Sequence, residues 1–346
     1  MSSERKGCGL IAIPLGLILF FAAFYVVWIN EGRVDLSIIA AESVPVTGES
    51  YDAENDGKLV ALSGTIEADQ FLGDDPYLKP ISAIQLNRNA EMYAWEESGD
   101  DEEGYSYRLT WTGSPENSDG FDQPAGHQNP PMEIRSRILK VDDAQIGRYT
   151  VLPNDIIFGQ VEDLPISEGM VSGGRVSENY FYQGNASPQA PEIGDIRISY
   201  SAFAADQFAT VFGEQQADRV VSWTDGESII YRGYALDRQG GIDALRTEYL
   251  TALWGVRAAS LAMFYIGLMM VLNPLTSILG YIPILGNVGK RMIAFAAFVV
   301  AFVVWLVTLI IAILFHNLVA LIVVLLLVGG VGYAVWFMRH REKSPA

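Results

Sequence analysis

A histidine close to two aspartates is the first candidate for chemistry in this chain. His127 lies in the segment Gly-His-Gln-Asn-Pro, and Asp119 and Asp122 precede it by a few residues. This spacing suggests a metal or acid–base site, but structural zinc requires several nitrogen or sulfur ligands. We therefore expect His127 to organise its loop by hydrogen bonding, and we predict no metal site and no cofactor.

The sequence also lacks the common motifs of catalytic and nucleotide-binding sites. It contains no Ser/His/Asp spacing, no P-loop and no dinucleotide-type glycine fingerprint. Cys8 is the only cysteine, which excludes an internal disulfide framework. The acidic run at 100–103 lacks the alternating ligand pattern of a calcium loop, so we interpret it as solvated. We predict that the protein is not an enzyme and has no catalytic residues.

Aromatic residues cluster in one short stretch of the chain. Tyr93, Trp95, Tyr105, Tyr107 and Trp111 have the spacing that places side chains on one face of period-two strands. Such a face is either part of the core or a docking surface. We favour the core.

The region around these residues has the pattern of a β-rich domain. Turn residues separate short runs rich in β-branched and aromatic residues, at 58–68, 195–203, 208–215, 219–224 and 227–236. Acidic or turn-rich composition predicts loops at 97–104 and 113–131, and 241–252 is typical of a helix. We predict an all-β or β-dominated α+β domain, with a small barrel favoured over a sandwich.

Charge is distributed unevenly along the chain. Residues 29–250 contain 39 Asp and Glu against 15 Lys and Arg, whereas the rest of the chain contains 8 basic residues and 2 acidic ones. The basic residues lie beside long apolar runs, as the positive-inside rule requires of cytoplasmic segments. The acidic middle argues against nucleic acid as a partner, because nucleic-acid binding depends on clustered Lys and Arg.

The apolar runs are long enough to cross a bilayer. They predict a multi-pass α-helical membrane protein with a β-rich extracytoplasmic domain inserted between span 1 and spans 2–4. In chain order we predict a cytoplasmic tail (1–8), span 1 (9–29), the acidic domain (30–250), span 2 (251–272), an interfacial or re-entrant segment (273–291), span 3 (292–315), span 4 (318–337) and a basic cytoplasmic tail (338–346).

Span 1 has two interpretations, an uncleaved anchor or a signal peptide. Its apolar run is long for a signal peptide, and a small-residue cleavage site lies well beyond it, so we expect an anchor. With the basic residues of all three clusters inside, the acidic domain is outside and Arg257 lies near the outer interface.

Seven short motifs in order resemble the LUMA family (transmembrane protein 43 family). The first is Asn30-Glu31-Gly32-Arg33, directly after span 1. The others are 90–96 (AEMYAWE, with Tyr93 and Trp95), Tyr105-Ser106-Tyr107 with Trp111, Gly126-His127-Gln128-Asn129-Pro130, Ile146-Gly147-Arg148-Tyr149, Gly194-Asp195-Ile196-Arg197-Ile198-Ser199 and Trp254-Gly255-Val256-Arg257-Ala258-Ala259.

The resemblance implies four spans, termini on the cytosolic or nucleoplasmic side and a large lumenal domain. In animals the family is similar in role to an organiser of the inner nuclear membrane that self-associates and contacts emerin and lamins. The compact, acidic, nearly thiol-free chain favours a bacterial member, for which the lamin role does not apply. The compartment is then the inner membrane with a periplasmic domain; in a eukaryote it is the endoplasmic reticulum or inner nuclear membrane.

Our first hypothesis is a non-enzymatic membrane scaffold that forms homo-oligomers and binds membrane lipids or other membrane proteins. We expect Arg33 and Arg257 to bind lipid phosphate or to pair with carboxylates such as Glu31; generic interfacial anchoring is the alternative. A second hypothesis is an oligomeric channel or transporter, which Arg257 and the segment 273–289 suggest. A third is a membrane-embedded enzyme.

Overall fold

Helices lie at the first three predicted spans, and the described positions within the fourth are also helical. A computed structural model describes residues 5–100, 104–183, 188–226, 228–279 and 286–317, and the positions 321–324, 326–327, 329–330 and 333. The helices in these ranges are α1 (Arg5–Glu31), α2 (Leu36–Ala41), α3 (Arg238–Leu279) and α4 (Gly286–His316). Among the described residues, three helical stretches are long and apolar enough to cross a membrane, namely Ala12–Ala41, Arg238–Pro274 and Gly289–His316.

The remaining membrane predictions are only partly covered. Most of the predicted span 318–337 lies outside the described residues. Residues 280–285 of the segment 273–291 also lie outside them, and α3 continues through Pro274 to Leu279 before that gap. The orientation of the chain stays a prediction.

The chain divides into two units, residues 36–245 and a helical unit of residues 1–35 with 246–346. In the helical unit, α1, α3 and α4 share an apolar cluster that includes Val27, Phe264 and Ala301. Gly16 and Gly267 allow α1 and α3 to approach closely, because a Cβ on Gly16 would lie 2.7 Å from the Gly267 carbonyl oxygen.

The unit at 36–245, here called the β domain, consists mainly of strands. Their bounds are β1 (Val44–Thr47), β2 (Leu59–Glu67), β3 (Leu72–Asp74), β4 (Leu78–Ile81), β5 (Ala83–Asp100), β6 (Gly104–Thr112), β7 (Arg137–Lys140), β8 (Ala144–Ile146), β9 (Tyr149–Val151), β10 (Ile157–Phe158), β11 (Glu162–Leu164), β12 (Arg175–Ser177), β13 (Tyr180–Gln183), β14 (Ile196–Ala204), β15 (Gln207–Gln216), β16 (Arg219–Val221), β17 (Trp223–Asp225), β18 (Ser228–Ile230) and β19 (Arg232–Tyr234).

Five of these strands form a closed barrel. β2 pairs with β8, β8 with β9, β9 with β16, β16 with β15, and β15 returns to β2. Closure leaves these strands without a free edge. The prediction of a small barrel is confirmed.

A second sheet packs against the barrel, and its arrangement beside the barrel was not predicted. Its order is β12-β13-β14-β5-β6, with β7 added to β5 and β11 to β14. Met92 and Ala94 on one face of β5 share an apolar cluster with the barrel residues Leu62 and Val211. The interface between barrel and sheet is therefore the main core.

Two expectations about this sheet were wrong. The predicted loop at 97–104 is instead mostly strand, because β5 runs to Asp100 and β6 begins at Gly104. The aromatic residues do share one face, as the pairs Tyr93 with Trp111 and Glu97 with Tyr107 require. That face is the one turned away from the barrel, so its rings are half-buried rather than core.

Candidate functional site

The hairpin formed by β5 and β6 extends beyond the rest of its sheet. β14 pairs with β5 only as far as Met92, whereas β6 pairs with β5 from Met92 to Asp100. The loop at 113–136, which follows β6 and is here called the latch loop, contacts this extension through several side chains. It contains one 3₁₀ turn, Ser118–Gly120, and otherwise agrees with the predicted loop at 113–131.

Asn129 of the latch loop occupies the position of a missing strand. Its Oδ1 accepts a hydrogen bond from the Trp95 backbone N–H at 2.7 Å, and its Nδ2 donates to the Trp95 carbonyl at 2.9 Å. Glu116 accepts from the backbone N–H of Glu97 at 3.2 Å. Together these side chains satisfy backbone groups along the edge of β5 that β14 leaves unpaired.

His127 holds the loop over the aromatic rings of the hairpin. Its ring stacks on Tyr107 with centroids 3.7 Å apart, lies edge to face with Trp95 at 4.7 Å, and places Nδ1 2.9 Å from the Gln123 carbonyl oxygen. The Tyr107 hydroxyl donates to Glu97 at 2.5 Å and accepts from the Gln123 N–H. Burial, and then the hydrogen bond to Glu97, raise the pKa of Tyr107.

Two further motifs support the same loop. The Gly194 N–H donates to the Tyr93 carbonyl, and the Tyr93 N–H donates to the Asp195 carbonyl. Gly194 has a φ of +93°, and a Cβ there would lie 2.9 Å from Cγ of Pro130. Glycine is therefore needed for close packing on the latch loop.

The outer face of the hairpin continues as a patch, here called the aromatic face, formed by Tyr93, Trp111, Tyr180, Tyr182 and Arg197. The Arg197 guanidinium lies 4.7 Å from the Trp111 ring and 4.3 Å from the Tyr180 ring. Its Nε donates to Glu91 at 2.6 Å. Cation–π contacts of this kind fix an arginine without removing it from the surface.

The motif at 146–149 lies in the barrel, away from the latch loop. Gly147 has a φ of +59° at the turn between β8 and β9, and a Cβ there would collide with the Gly48 carbonyl oxygen. The Arg148 N–H donates to that carbonyl, and its side chain is exposed. This geometry indicates a structural role for the turn.

A buried ion network was missed by the sequence analysis. The Asp74 side chain is 0% exposed and forms ion pairs with Arg88 and Arg137. The Tyr200 hydroxyl donates to the same carboxylate at 2.8 Å, and burial followed by this bond raises the pKa of Tyr200. These four residues come from separate strands or their flanks, so no local spacing could have predicted their contact.

In the helical unit, the motif after span 1 contacts the motif at the start of span 2. Arg257 forms two parallel hydrogen bonds with Glu31, from Nε at 2.9 Å and from Nη2 at 2.7 Å. Asn30 is buried and donates to the Leu253 carbonyl at 3.1 Å. The Glu31 side chain is 4% exposed, so the pair is largely shielded from solvent.

The other residues of these two motifs are placed as follows. A Cβ on Gly32 would lie 2.7 Å from Nε2 of His316, so a larger residue here would displace the His316 ring. Arg33 and Gly255 are exposed. The Trp254 ring is also exposed and lies 4.6 Å from the Arg257 guanidinium. Arg257 thus pairs with Glu31, while Arg33 points to the surface.

No metal centre is evident in the part of the chain that the structure describes: no three His, Cys, Asp or Glu side chains there are grouped to hold an ion. Residues from the two ends of the latch loop line an open cleft of about 900 Å³. Its lining is mostly exposed and neutral, with Glu116 and Arg135 as the charged residues.

The motif positions therefore fall into two clusters and one barrel turn. A protein-family model described as Transmembrane protein 43 matches residues 88–318, which covers most of the β domain and the helices that follow. The chain belongs to the transmembrane protein 43 family. The matched region contains six of the seven motifs, and the resemblance seen in the sequence is confirmed.

Individual relatives agree with this family. The human Transmembrane protein 43 is 28% identical, and the rat protein 26%, each alignment covering 81% of this chain and 79% of the relative. The Transmembrane protein 43 homolog of Drosophila melanogaster is 26% identical over 94% of this chain and 93% of its own length. No solved structure matches the chain significantly. Family membership and the apolar helices establish an integral membrane protein.

Proposed function

We propose that this protein is a non-enzymatic membrane scaffold that self-associates and binds partner molecules through its β domain. The observation that carries the proposal is the extended β5–β6 hairpin fixed by the latch loop. Asn129 and His127 hold this hairpin in one conformation through hydrogen bonds and ring stacking. A surface ordered before binding loses less conformational entropy when a partner associates.

The composition of the aromatic face supports a protein partner. Tyrosine, tryptophan and arginine are enriched at protein interfaces and among the residues that contribute most to binding. Tyr180, Tyr182 and Trp111 are half-buried around Arg197, on a sheet whose opposite face packs on the barrel. The face is therefore supported by a rigid core.

The use of the polar motif residues supports a scaffold rather than an enzyme. His127, Asn129 and Asp195 each contact the latch loop or the chain that supports it. Their roles are accounted for by the fold, because each satisfies backbone groups or packs rings. The relatives are likewise named as transmembrane proteins and not as enzymes.

The pairing of Arg257 also favours a scaffold over a channel. A charged group that acts on a permeating solute needs access to a water-filled path. Arg257 instead directs two of its nitrogens at Glu31. The exposed Arg33 is the better candidate for binding lipid phosphate.

The proposal includes an orientation. The basic clusters that flank the apolar helices support a cytosolic position for the tails and a non-cytosolic position for the β domain. The domain is then periplasmic in a bacterium and lumenal in a eukaryote.

Chemical cross-linking in native membranes, followed by affinity purification and mass spectrometry of proteins and lipids, tests the proposal. We expect homo-oligomers and at least one reproducible protein partner. A monomer that captures no other protein at any cross-linker length would contradict a scaffold.

A further inference from the structure

The two edges of the β5–β6 hairpin differ in whether other parts of the chain pair with their backbone groups. On the β5 side, Asn129 and Glu116 supply side-chain partners for the backbone of Trp95 and Glu97. On the other side, β6 is the last strand of its sheet, and β5 is its strand partner among the described residues. One edge is closed and the other is open.

Backbone geometry shows which groups lie on the open edge. Tyr93 exchanges hydrogen bonds with Gly194 and Asp195, so its backbone groups point away from β6. Bonding alternates along antiparallel strands, hence Met92, Ala94 and Glu96 bond to β6 through their partners Thr112, Thr110 and Arg108. The N–H and C=O groups of the alternate β6 residues therefore point outward. The β6 residues that lie between the bonded positions, and whose backbone groups point outward, are Tyr107, Leu109 and Trp111.

This edge carries few of the features that prevent strand addition. β6 has nine residues, no proline and no register shift against β5. Tyr, Leu, Trp and Thr have high strand propensity or pack well on sheets. Long, regular edge strands of this composition are templates for another strand.

The charge around the edge restricts what can add to it. Residues 96–122 contain nine Asp and Glu and a single basic residue, Arg108. The Arg108 side chain is 72% exposed and is already paired with Glu96. Such a field attracts a cationic segment and repels a second copy of the same acidic hairpin.

We infer that β6 binds an extended, cationic segment of another polypeptide as an added strand opposite Tyr107–Trp111. In this segment apolar residues alternate with Lys or Arg. The basic side chains lie on the face of Tyr107, Leu109 and Trp111, which also carries Glu97, the cross-strand partner of Tyr107. The apolar side chains lie on the opposite face, beside Thr110. The inference rests on the proposed scaffold function, since it specifies how the β domain holds a protein partner.

A peptide-binding measurement on the full-length protein in nanodiscs tests the inference. The probe is a fluorescent peptide of alternating lysine and valine, and one control peptide has the same sequence with N-methylated amides on one edge. A second control peptide carries glutamate in place of lysine. We expect the lysine peptide to bind and each control to bind at least about tenfold more weakly, because pairing hydrogen bonds or charge attraction are lost. Equal binding of the N-methylated peptide would overturn strand addition.

Substitutions on β6 locate the site. Leu109→Pro removes an outward N–H without removing a bond to β5, and Leu109→Val retains that N–H. Leu109→Pro should weaken binding roughly tenfold and Leu109→Val should leave it unchanged. Circular dichroism and thermal unfolding check that both variants fold. The double variant Asp119→Asn/Asp122→Asn, at exposed positions of the latch loop, provides a second test and should bind the lysine peptide more weakly with the β6 backbone intact.

Two outcomes separate this inference from the proposed function. If cross-linking captures partners equally well with Leu109→Pro and the wild-type protein, the scaffold stands and the β6 site is wrong. If Leu109→Pro turns a cross-linked dimer into a monomer while the lysine peptide never binds, the occupant is a second copy and the inference is also wrong.

Discussion

Asn129 pairs with both backbone polar groups of Trp95, at 2.7 and 2.9 Å, and so acts as a one-residue strand along β5. This contact links the Gly-His-Gln-Asn-Pro motif to the 90–96 motif, although 34 residues separate the two side chains in sequence. The motifs of the β domain are thereby explained mainly as parts of one support for the hairpin.

Asn129→Ala should loosen the latch loop. The change leaves the Trp95 N–H and C=O without their partners, which costs roughly 1–3 kcal/mol of unfolding free energy. Hydrogen exchange at the Trp95 amide and denaturant unfolding measure the effect. Gln128→Ala, at an exposed neighbouring position, is the control and should change neither quantity.

Raising the pH should release the same loop through Tyr107. Its folded-state pKa lies above the ordinary value of about 10, so the stabilisation is complete below that pH and is lost as pH rises through the folded pKa. The phenolate absorbance of wild type minus Tyr107→Phe gives this titration. A midpoint at or below the ordinary tyrosine value would show that the contacts with Glu97 and Gln123 do not persist.

Asp74→Ala should destabilise the β domain strongly. The substitution leaves Arg88 without its carboxylate partner in a site where the Arg88 side chain is only 10% exposed. Removing one partner of a buried ion pair typically costs about 3–5 kcal/mol. Chemical unfolding measures the loss, and Asp143→Asn on the surface should have little effect. A loss equal to that of the surface variant would mean that the network contributes nothing.

Arg257→Ala should weaken the contact between α1 and α3. It leaves the shielded Glu31 carboxylate unpaired, at a cost of roughly 3–5 kcal/mol, whereas the double variant Glu31→Leu/Arg257→Met should recover most of the stability. Thermal unfolding in detergent micelles compares the variants. No recovery in the double variant would argue for a role of the charges beyond pairing.

Arg33→Ala should reduce phospholipid co-purification while leaving the melting temperature unchanged. Arg33 is exposed, so its removal leaves no buried group unpaired. Mass spectrometry of bound lipids and thermal unfolding provide the two readouts. A fall in the melting temperature with no change in bound lipid would assign Arg33 a structural role instead.

The sequence indicated the apolar helices and much of the barrel, because hydropathy and period-two alternation are local signals. It misplaced the strand from 97 to 100, since acidic residues and Gly99 are also typical of loops. The alternation of Tyr105, Tyr107 and Trp111 opposite Tyr93 and Trp95 could have indicated a long hairpin.

Other contacts depend on long-range pairing that no single-sequence pattern contains. Asp74 meets Tyr200 across 126 residues, and Glu31 meets Arg257 across 226. The sequence did identify Arg257 and Glu31 as possible partners, from their expected place at the same membrane interface. Whether the face with the aromatic rings is core or surface could not be predicted without knowing that the barrel covers the opposite face of the sheet.

Site-specific photo-cross-linking in native membranes tests the central claim most directly. A photoreactive amino acid replaces Arg108 on the open edge of the hairpin, and the control protein carries it at Arg148 on the barrel turn. Our account predicts protein adducts from position 108 that Leu109→Pro abolishes, with few from position 148. Equal adducts at both positions, or none at 108, would contradict a scaffold that holds its partners through this hairpin.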